Sequence, residues 1–288
     1  MRLAFRAMKL ASPLVSTEWL AEHLAAPDIR IADASWYLPQ AGRDARGEYL
    51  AAHIPGAVFF DIDDLSDETS ALPHMLAPAP KFASRMRNLG LGDGNLIVVY
   101  DGMGIYSAPR AWWMLRAMGH EETAVLDGGF PKWKREGRPI EDLVPQPYPR
   151  HFTPRPNNAL VRGFSQIMSN LESGREQVID LRSAGRFAGK EIEPRPGVRP
   201  GHIPGSVNVP YTELSGADGT LKSRPELLEA FRRLGVETIR PSVTSCGSGI
   251  TAAIGMLALA ATGKEDVSLY DGSWSEWGAR AEAPVVTE

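Results

Sequence analysis

The chain has 288 residues, a length that suits two domains of about 100 to 150 residues each. Hydrophobic residues make up 43% and charged residues 23%, enough apolar surface for packed cores, so extensive disorder is excluded. A formal charge of −4 offers no global basic field for nucleic acid, and a single cysteine, Cys246, excludes an internal disulfide and a cysteine-rich zinc site and fits a reducing compartment.

The first stretch, MRLAFRAMKLASPLVST, carries Arg2, Arg6 and Lys9 with no acid before Glu18. It reads as a basic extension ahead of a first helix capped at Ser16 or Thr17, with an organelle-targeting signal as the alternative. IRIADASW (29–36) reads as a buried strand that delivers Asp33 at its C-terminal end, and AAHIPGAVFFDI (51–62) follows. Next come a buried strand in NLIVVYD, a glycine-bearing turn, a helix in APRAWWMLRAMG, and a third strand in TAVLDGG. A proline-rich stretch then reads as an extended linker.

Beyond that linker the pattern returns. QVIDLRSA (177–184) repeats the first strand with Asp180, PGHIPGSVNVPY (200–211) repeats the HIPG segment, and LYDGSWSEW (269–277) repeats VLDGGFPKW (125–133). The offsets agree closely: 180 minus 33 is 147, 202 minus 53 is 149, and 271 minus 127 is 144. Short strands alternating with helices predict an α/β fold of two tandem domains, each a parallel sheet flanked by helices. The expected boundaries are 12–138, a linker at 139–157, and 158–283. The apolar run from Ile250 to Gly263 is too short to cross a bilayer and reads as a buried helix, so no membrane association is expected.

Aligned on the strand ends, Asp101 stands opposite Cys246. A carboxylate cannot serve as a soft sulfur nucleophile, so the first domain is expected to be non-catalytic and the second catalytic. The turn Cys246-Gly247-Ser248-Gly249-Ile250-Thr251 lies between a predicted strand and a predicted helix N-terminus. Glycines let successive backbone N–H groups point inward and the helix dipole adds positive charge, so the turn can cradle an anion and favour thiolate over thiol. Cysteine phosphatases need an arginine six positions after the cysteine to grip an oxyanion. That position is Ala252, which leaves sulfur transfer through a persulfide as the better fit.

The duplicated HIPG segments, the DGG and DGS turns, FDIDDLSDETS, LPHML, YSAPRAWWM, GRF, EPRPG and CGSGIT together resemble the two-domain sulfurtransferases of the rhodanese superfamily, from about Ser12 to Gly278. Members that use thiosulfate resemble Cys-Arg-Lys-Gly-Val-Thr at the loop. Gly247 and Ser248 resemble instead the branch that takes 3-mercaptopyruvate, with Ile250 in place of valine. The resemblance implies that Cys246 takes sulfur as a persulfide, releases pyruvate, and passes the sulfur to a thiol such as thioredoxin, or to cyanide. It also implies Arg186 and Arg195 as the grip on the substrate carboxylate, with Arg182 and Arg199 close enough in sequence to be confused with them. Gly247, Gly249, Ile250 and Thr251 complete the substrate-binding loop, with Tyr106 as a further pocket candidate. A relay of Ser248, His74 and Asp63 is implied for proton transfer, and Asp61 competes for the carboxylate role.

Arg110 is expected to pack rather than bind. His53 and His202 read as parts of fixed turns, and the tryptophan pairs read as core. No cofactor and no metal are expected, nor any nucleic-acid partner, and the chain is expected to be a cytoplasmic monomer. Two alternatives stay open: the same scaffold using thiosulfate, and a non-enzymatic sulfur-carrier or docking module.

Overall fold

The computed structural model describes residues 12–287. The basic stretch with Arg2, Arg6 and Lys9 lies outside the described residues. The chain forms two compact units. Unit 1 holds the residues up to Leu65, then Pro78–Pro156 and Asp218–Thr220; unit 2 holds Ser66–Ala77, Asn157–Ala217 and the residues from Leu221 on.

Unit 1 contains strands β1 (Leu14–Val15), β2 (Ile29–Asp33), β3 (Val58–Phe59), β4 (Leu96–Tyr100) and β5 (Thr123–Leu126). Its helices are α1 (Thr17–His23), α2 (Ala45–Ala51), α3 (Ala79–Asn88), α4 (Ala108–Ala117) and α5 (Gly129–Arg135). Unit 2 contains β6 (Val161–Arg162), β7 (Gln177–Asp180), β8 (Val207–Asn208), β9 (Ser242–Ser245) and β10 (Val267–Tyr270). Its helices are α6 (Phe164–Ser173), α7 (Ala184–Phe187), α8 (Arg224–Arg233), α9 (Ala252–Ala261) and α10 (Ser273–Trp277).

Both sheets are parallel throughout and share one order, β1-β5-β4-β2-β3 in unit 1 and β6-β10-β9-β7-β8 in unit 2. Parallel sheets are covered on both faces, which is why the central strands are continuous apolar runs rather than alternating ones. Every residue of β4, LIVVY, is buried. The α/β expectation therefore holds, and the three strands read in each half sit where the sequence placed them. The two-residue strands β1, β3, β6 and β8 went unread, because segments so short carry no periodicity.

Ser16 caps α1 as expected, its side chain accepting the N–H of Trp19. Prolines occupy the first turn of α3, α4 and α8, where the missing N–H costs nothing. The HIPG histidines are structural, as expected. His53 lies within hydrogen-bond distance of Tyr49 O and His202 of Phe187 O, and each stacks on that residue's ring. Trp112, Trp113, Trp274 and Trp277 are buried, and Arg110 lies fully buried over the ring of Trp113. The proline-rich stretch is extended but packs along unit 1. Phe152 is buried there, and Arg155 N–H donates to Met118 O. Among the described residues no helix is long and apolar enough to cross a membrane.

Candidate active site around Cys246

β9 ends at Ser245 and α9 begins at Ala252, so the six residues from Cys246 to Thr251 form the turn at the carboxyl edge of the unit 2 sheet. Ligands of open α/β sheets bind at this edge. Cys246 is 2% exposed, Ser248 and Ile250 are also buried, and Gly249 takes φ +82, a left-handed conformation that suits glycine.

Unit 1 shows what such a turn does to an anion. Asp101 occupies the position of Cys246 at the end of β4, and it is fully buried. Its Oδ2 accepts the backbone N–H groups of Tyr106, Ser107 and Ala108 at 2.7, 2.9 and 2.9 Å, and its Oδ1 accepts that of Met103 at 2.8 Å. The equivalence is structural as well as sequential. Phe130 N–H donates to Asp101 O at 3.0 Å, and Trp274 N–H donates to Cys246 O at 2.9 Å. In unit 2 the residues that correspond to Met103, Ser107 and Ala108 are Ser248, Thr251 and Ala252; the turn there is one residue shorter, with no counterpart of Tyr106. Cys246 thus occupies, in a turn one residue shorter, the place where the sister unit holds a buried carboxylate on backbone amides.

The arginines divide into two groups. Arg182 is fully buried and donates to Asp180 from Nε and Nη2, to Glu193 Oε1 from Nη1 at 2.8 Å, and to Gly201 O at 2.7 Å. Burial works against its charge, but Asp180 and Glu193 outweigh burial and hold its pKa above the ordinary arginine value. Arg199 donates to the carbonyls of Trp277, Gly278, Arg280 and Ala283, a backbone clasp. These two are structural.

Arg186 and Arg195 flank the cysteine. Arg186 Nη2 donates to Glu193 Oε2 at 2.5 Å and lies 3.0 Å from where a Cβ on Gly247 would stand, so glycine at 247 lets the guanidinium approach the turn. Arg195 is half-buried. Burial holds its pKa below the ordinary value, the charge of Cys246 works against that fall, Arg186 adds to it and Glu193 opposes it. Two cations thus act on the surroundings of Cys246, and the Glu193 carboxylate orients one of them, Arg186. Glu193 escaped the sequence reading although it stands two residues before Arg195 in EPRPG.

His74 belongs to unit 2, in the segment Ser66–Ala77. It is buried and takes φ +61, strained for a residue other than glycine. The segment folds back on itself, with Asp67 N–H donating to Met75 O, and is anchored by Leu76 N–H donating to Asp271 Oδ2 at 2.7 Å. Asp63 and Tyr106 lie in unit 1. Asp63 Oδ2 accepts the indole N–H of Trp36 at 3.0 Å, and Tyr106 is buried with its backbone N–H on Asp101. Asp61 Oδ1 accepts the N–H groups of Asp63 and Asp64, a turn-capping role.

Twin parallel sheets, one turn holding a buried carboxylate and the other a buried cysteine, define a duplicated domain whose copies differ at this turn position. The rhodanese-like domain model matches residues 16–136 and 164–280, and the chain belongs to that family. It is 47% identical to a 3-mercaptopyruvate sulfurtransferase of Homo sapiens over 95% of this chain and 94% of the relative. It is 43% identical to a thiosulfate sulfurtransferase of Bos taurus over 93% of this chain and 92% of the relative. Among solved structures, SseA from Escherichia coli, described as a 3-mercaptopyruvate sulfotransferase of rhodanese fold, matches with a TM-score of 0.84 at 43% identity, covering 91% of this chain and 99% of that one.

Proposed function

We propose that the chain is a 3-mercaptopyruvate sulfurtransferase. The observation that carries this reading is the turn itself. Cys246 is followed by Gly247 and Ser248, with no cationic side chain at either position, while Arg186 and Arg195 stand beside it as partners for a carboxylate. A planar guanidinium suits the donor's carboxylate. The Cys246 thiolate attacks the donor's sulfur. The carbon–sulfur bond breaks with its electron pair on carbon, and the enolate takes a proton to become pyruvate. Cys246 keeps the sulfur as a persulfide, whose anion faces the amides of the turn.

Ser248 supplies the enolate's proton, with His74 of the same unit as its partner. A reducing thiol such as thioredoxin then attacks the outer sulfur and regenerates Cys246, and cyanide serves as an artificial acceptor. The setting is a cytoplasmic monomer.

Mass spectrometry after treatment with 3-mercaptopyruvate shows one added sulfur on Cys246, and the Cys246→Ser protein shows none. Unmodified protein after full exposure overturns the mechanism. The rival donor is thiosulfate, favoured by the likeness to thiosulfate sulfurtransferases. Turnover on both donors separates the readings, since a turn without cationic side chains predicts a strong bias to 3-mercaptopyruvate.

A further inference from the structure

We infer that Ser273 and Ser275, at the start of α10, are positioning residues that fix the peptide groups of Cys246 and Gly247 and so aim the cysteine into its turn. Ser273 is fully buried; its Oγ accepts the N–H of Cys246 at 3.3 Å and its hydroxyl donates to Tyr270 O at 2.8 Å. Trp274 N–H donates to Cys246 O at 2.9 Å. Ser275 donates twice to Gly247 O, from its N–H at 2.9 Å and from its hydroxyl at 2.5 Å. Three consecutive residues thus hold the amide of the cysteine, its carbonyl, and the next carbonyl.

The sister unit is the internal control. In the matching turn, DGGFPKW stands where unit 2 has DGSWSEW, so Ser273 corresponds to Gly129 and Ser275 to Pro131. Phe130 keeps the bond to the Asp101 carbonyl, but glycine has no hydroxyl and proline has neither a hydroxyl nor an N–H. Gly102 O instead accepts Arg43 Nη2 at 3.3 Å. The side-chain bonds of this clamp are therefore confined to the unit with the cysteine.

Backbone strain points the same way. Gly129 takes φ +52, which costs glycine nothing; Ser273 takes φ +49, a conformation L side chains avoid. A fold needing only the turn would place glycine at both positions. Serine at 273 bears the strain in exchange for a hydroxyl aimed at the Cys246 amide. The same turn also carries Asp271, which anchors the His74 segment through Leu76 N–H, so the clamp sits where two parts of the site meet.

The inference rests on the proposed sulfur transfer for its activity readout but not for its chemical one. The test compares Ser273→Gly, Ser273→Ala and Ser275→Ala in the full chain. Ser273→Gly relieves the strain, so its Tm stays at or above the parent's, while kcat with 3-mercaptopyruvate falls at least tenfold and the donor KM stays within about twofold. Its profile of Cys246 alkylation by iodoacetamide changes to faster modification at a fixed pH, because a loosely held thiol no longer stays buried in the turn. Ser273→Ala keeps the strain and loses the hydroxyl, so both Tm and kcat fall. Ser275→Ala, which needs no unusual backbone, lowers kcat at unchanged Tm and serves if the 273 variants misfold. An unaltered alkylation profile and kcat in Ser273→Gly and Ser275→Ala overturn the inference. If the parent fails to use 3-mercaptopyruvate, the functional proposal falls, and the alkylation profiles still decide the clamp.

Discussion

Methionine at Arg182 and at Arg186 has opposite consequences, although both arginines share the carboxylate of Glu193. Arg182 has a fully buried side chain between Asp180 and Glu193, each 4% exposed. Arg182→Met strands Asp180 in the interior without its bidentate cation and halves the pairing of Glu193. Breaking such a buried pair from one side costs about 3–5 kcal/mol, and at about 3 °C per kcal/mol for a unit of this size the melting temperature drops by roughly 10–15 °C. Arg186 is 23% exposed, and its loss leaves Glu193 with Arg182, so the expected stability change is about 1 kcal/mol or less. Its cost falls on the donor instead. A charge-assisted hydrogen bond to a carboxylate is worth about 1.5–3 kcal/mol, or roughly 10- to 150-fold in kcat/KM, carried by KM. Thermal unfolding by circular dichroism and steady-state sulfur transfer at a saturating thiol measure the two effects. If Arg186→Met unfolds as early as Arg182→Met, or keeps the parent's donor KM, the assignment of Arg186 to substrate and Arg182 to structure is wrong.

Other outcomes follow from the same geometry. Burial at the end of β2 pushes Asp33 up to about 6 from an ordinary 3.8, against the pull of its hydrogen bonds from Ser35. Between those values the folded chain holds a proton that the unfolded chain has released, so stability is lost as pH rises from 4 to 7. The loss is about 2.2 units at 1.36 kcal/mol each, or roughly 3 kcal/mol. Urea titrations across that range detect the slope, and Asp33→Asn flattens it; a slope of opposite sign contradicts the burial argument. At the turn, the double variant Gly247→Arg with Ser248→Lys places two cations beside Cys246. A Cβ at 247 stands 3.0 Å from Arg186 Nη2, so the guanidinium shifts by a few tenths of an ångström while the new cations crowd it. Thiosulfate turnover is expected to rise at least about tenfold, roughly 1.4 kcal/mol, as that with 3-mercaptopyruvate falls. An unchanged donor ratio refutes the role of the turn in donor choice.

The repeat made most of the fold legible. Buried parallel strands are apolar runs long enough to see, and their C-terminal ends are marked by Asp33, Asp101, Asp180 and Cys246. The cysteine was visible because it is unique in the chain and set among glycines. Its neighbours were harder to sort. Arg182, Arg186, Arg195 and Arg199 lie within 18 residues, and charge alone does not distinguish a guanidinium locked on Asp180 from one held beside Gly247. Burial decides between them, and burial of a polar side chain depends on partners distant in sequence. Glu193 was missed for that reason, and Ser273 for another: a left-handed serine looks like any other serine until its backbone angle is known.

The duplication also shows how one copy keeps the fold with a carboxylate where the other has a sulfur. A turn that converges backbone N–H groups on one point has a polar cost unless something negative sits there. In unit 1 the Asp101 carboxylate sits there permanently, with four amides on its two oxygens. In unit 2 Cys246 stands at the corresponding position, and in the proposed reaction its sulfur gains and loses a second sulfur during each cycle. A permanently filled cradle holds its own loop through that carboxylate. One whose occupant changes has to be held from outside, and the serines of α10 on the peptides of Cys246 and Gly247 provide that hold. Unit 1 can therefore dispense with both hydroxyls, and at position 129 it has no room for one, since a Cβ there would stand 2.6 Å from the carbonyl oxygens of Asp101 and Gly104.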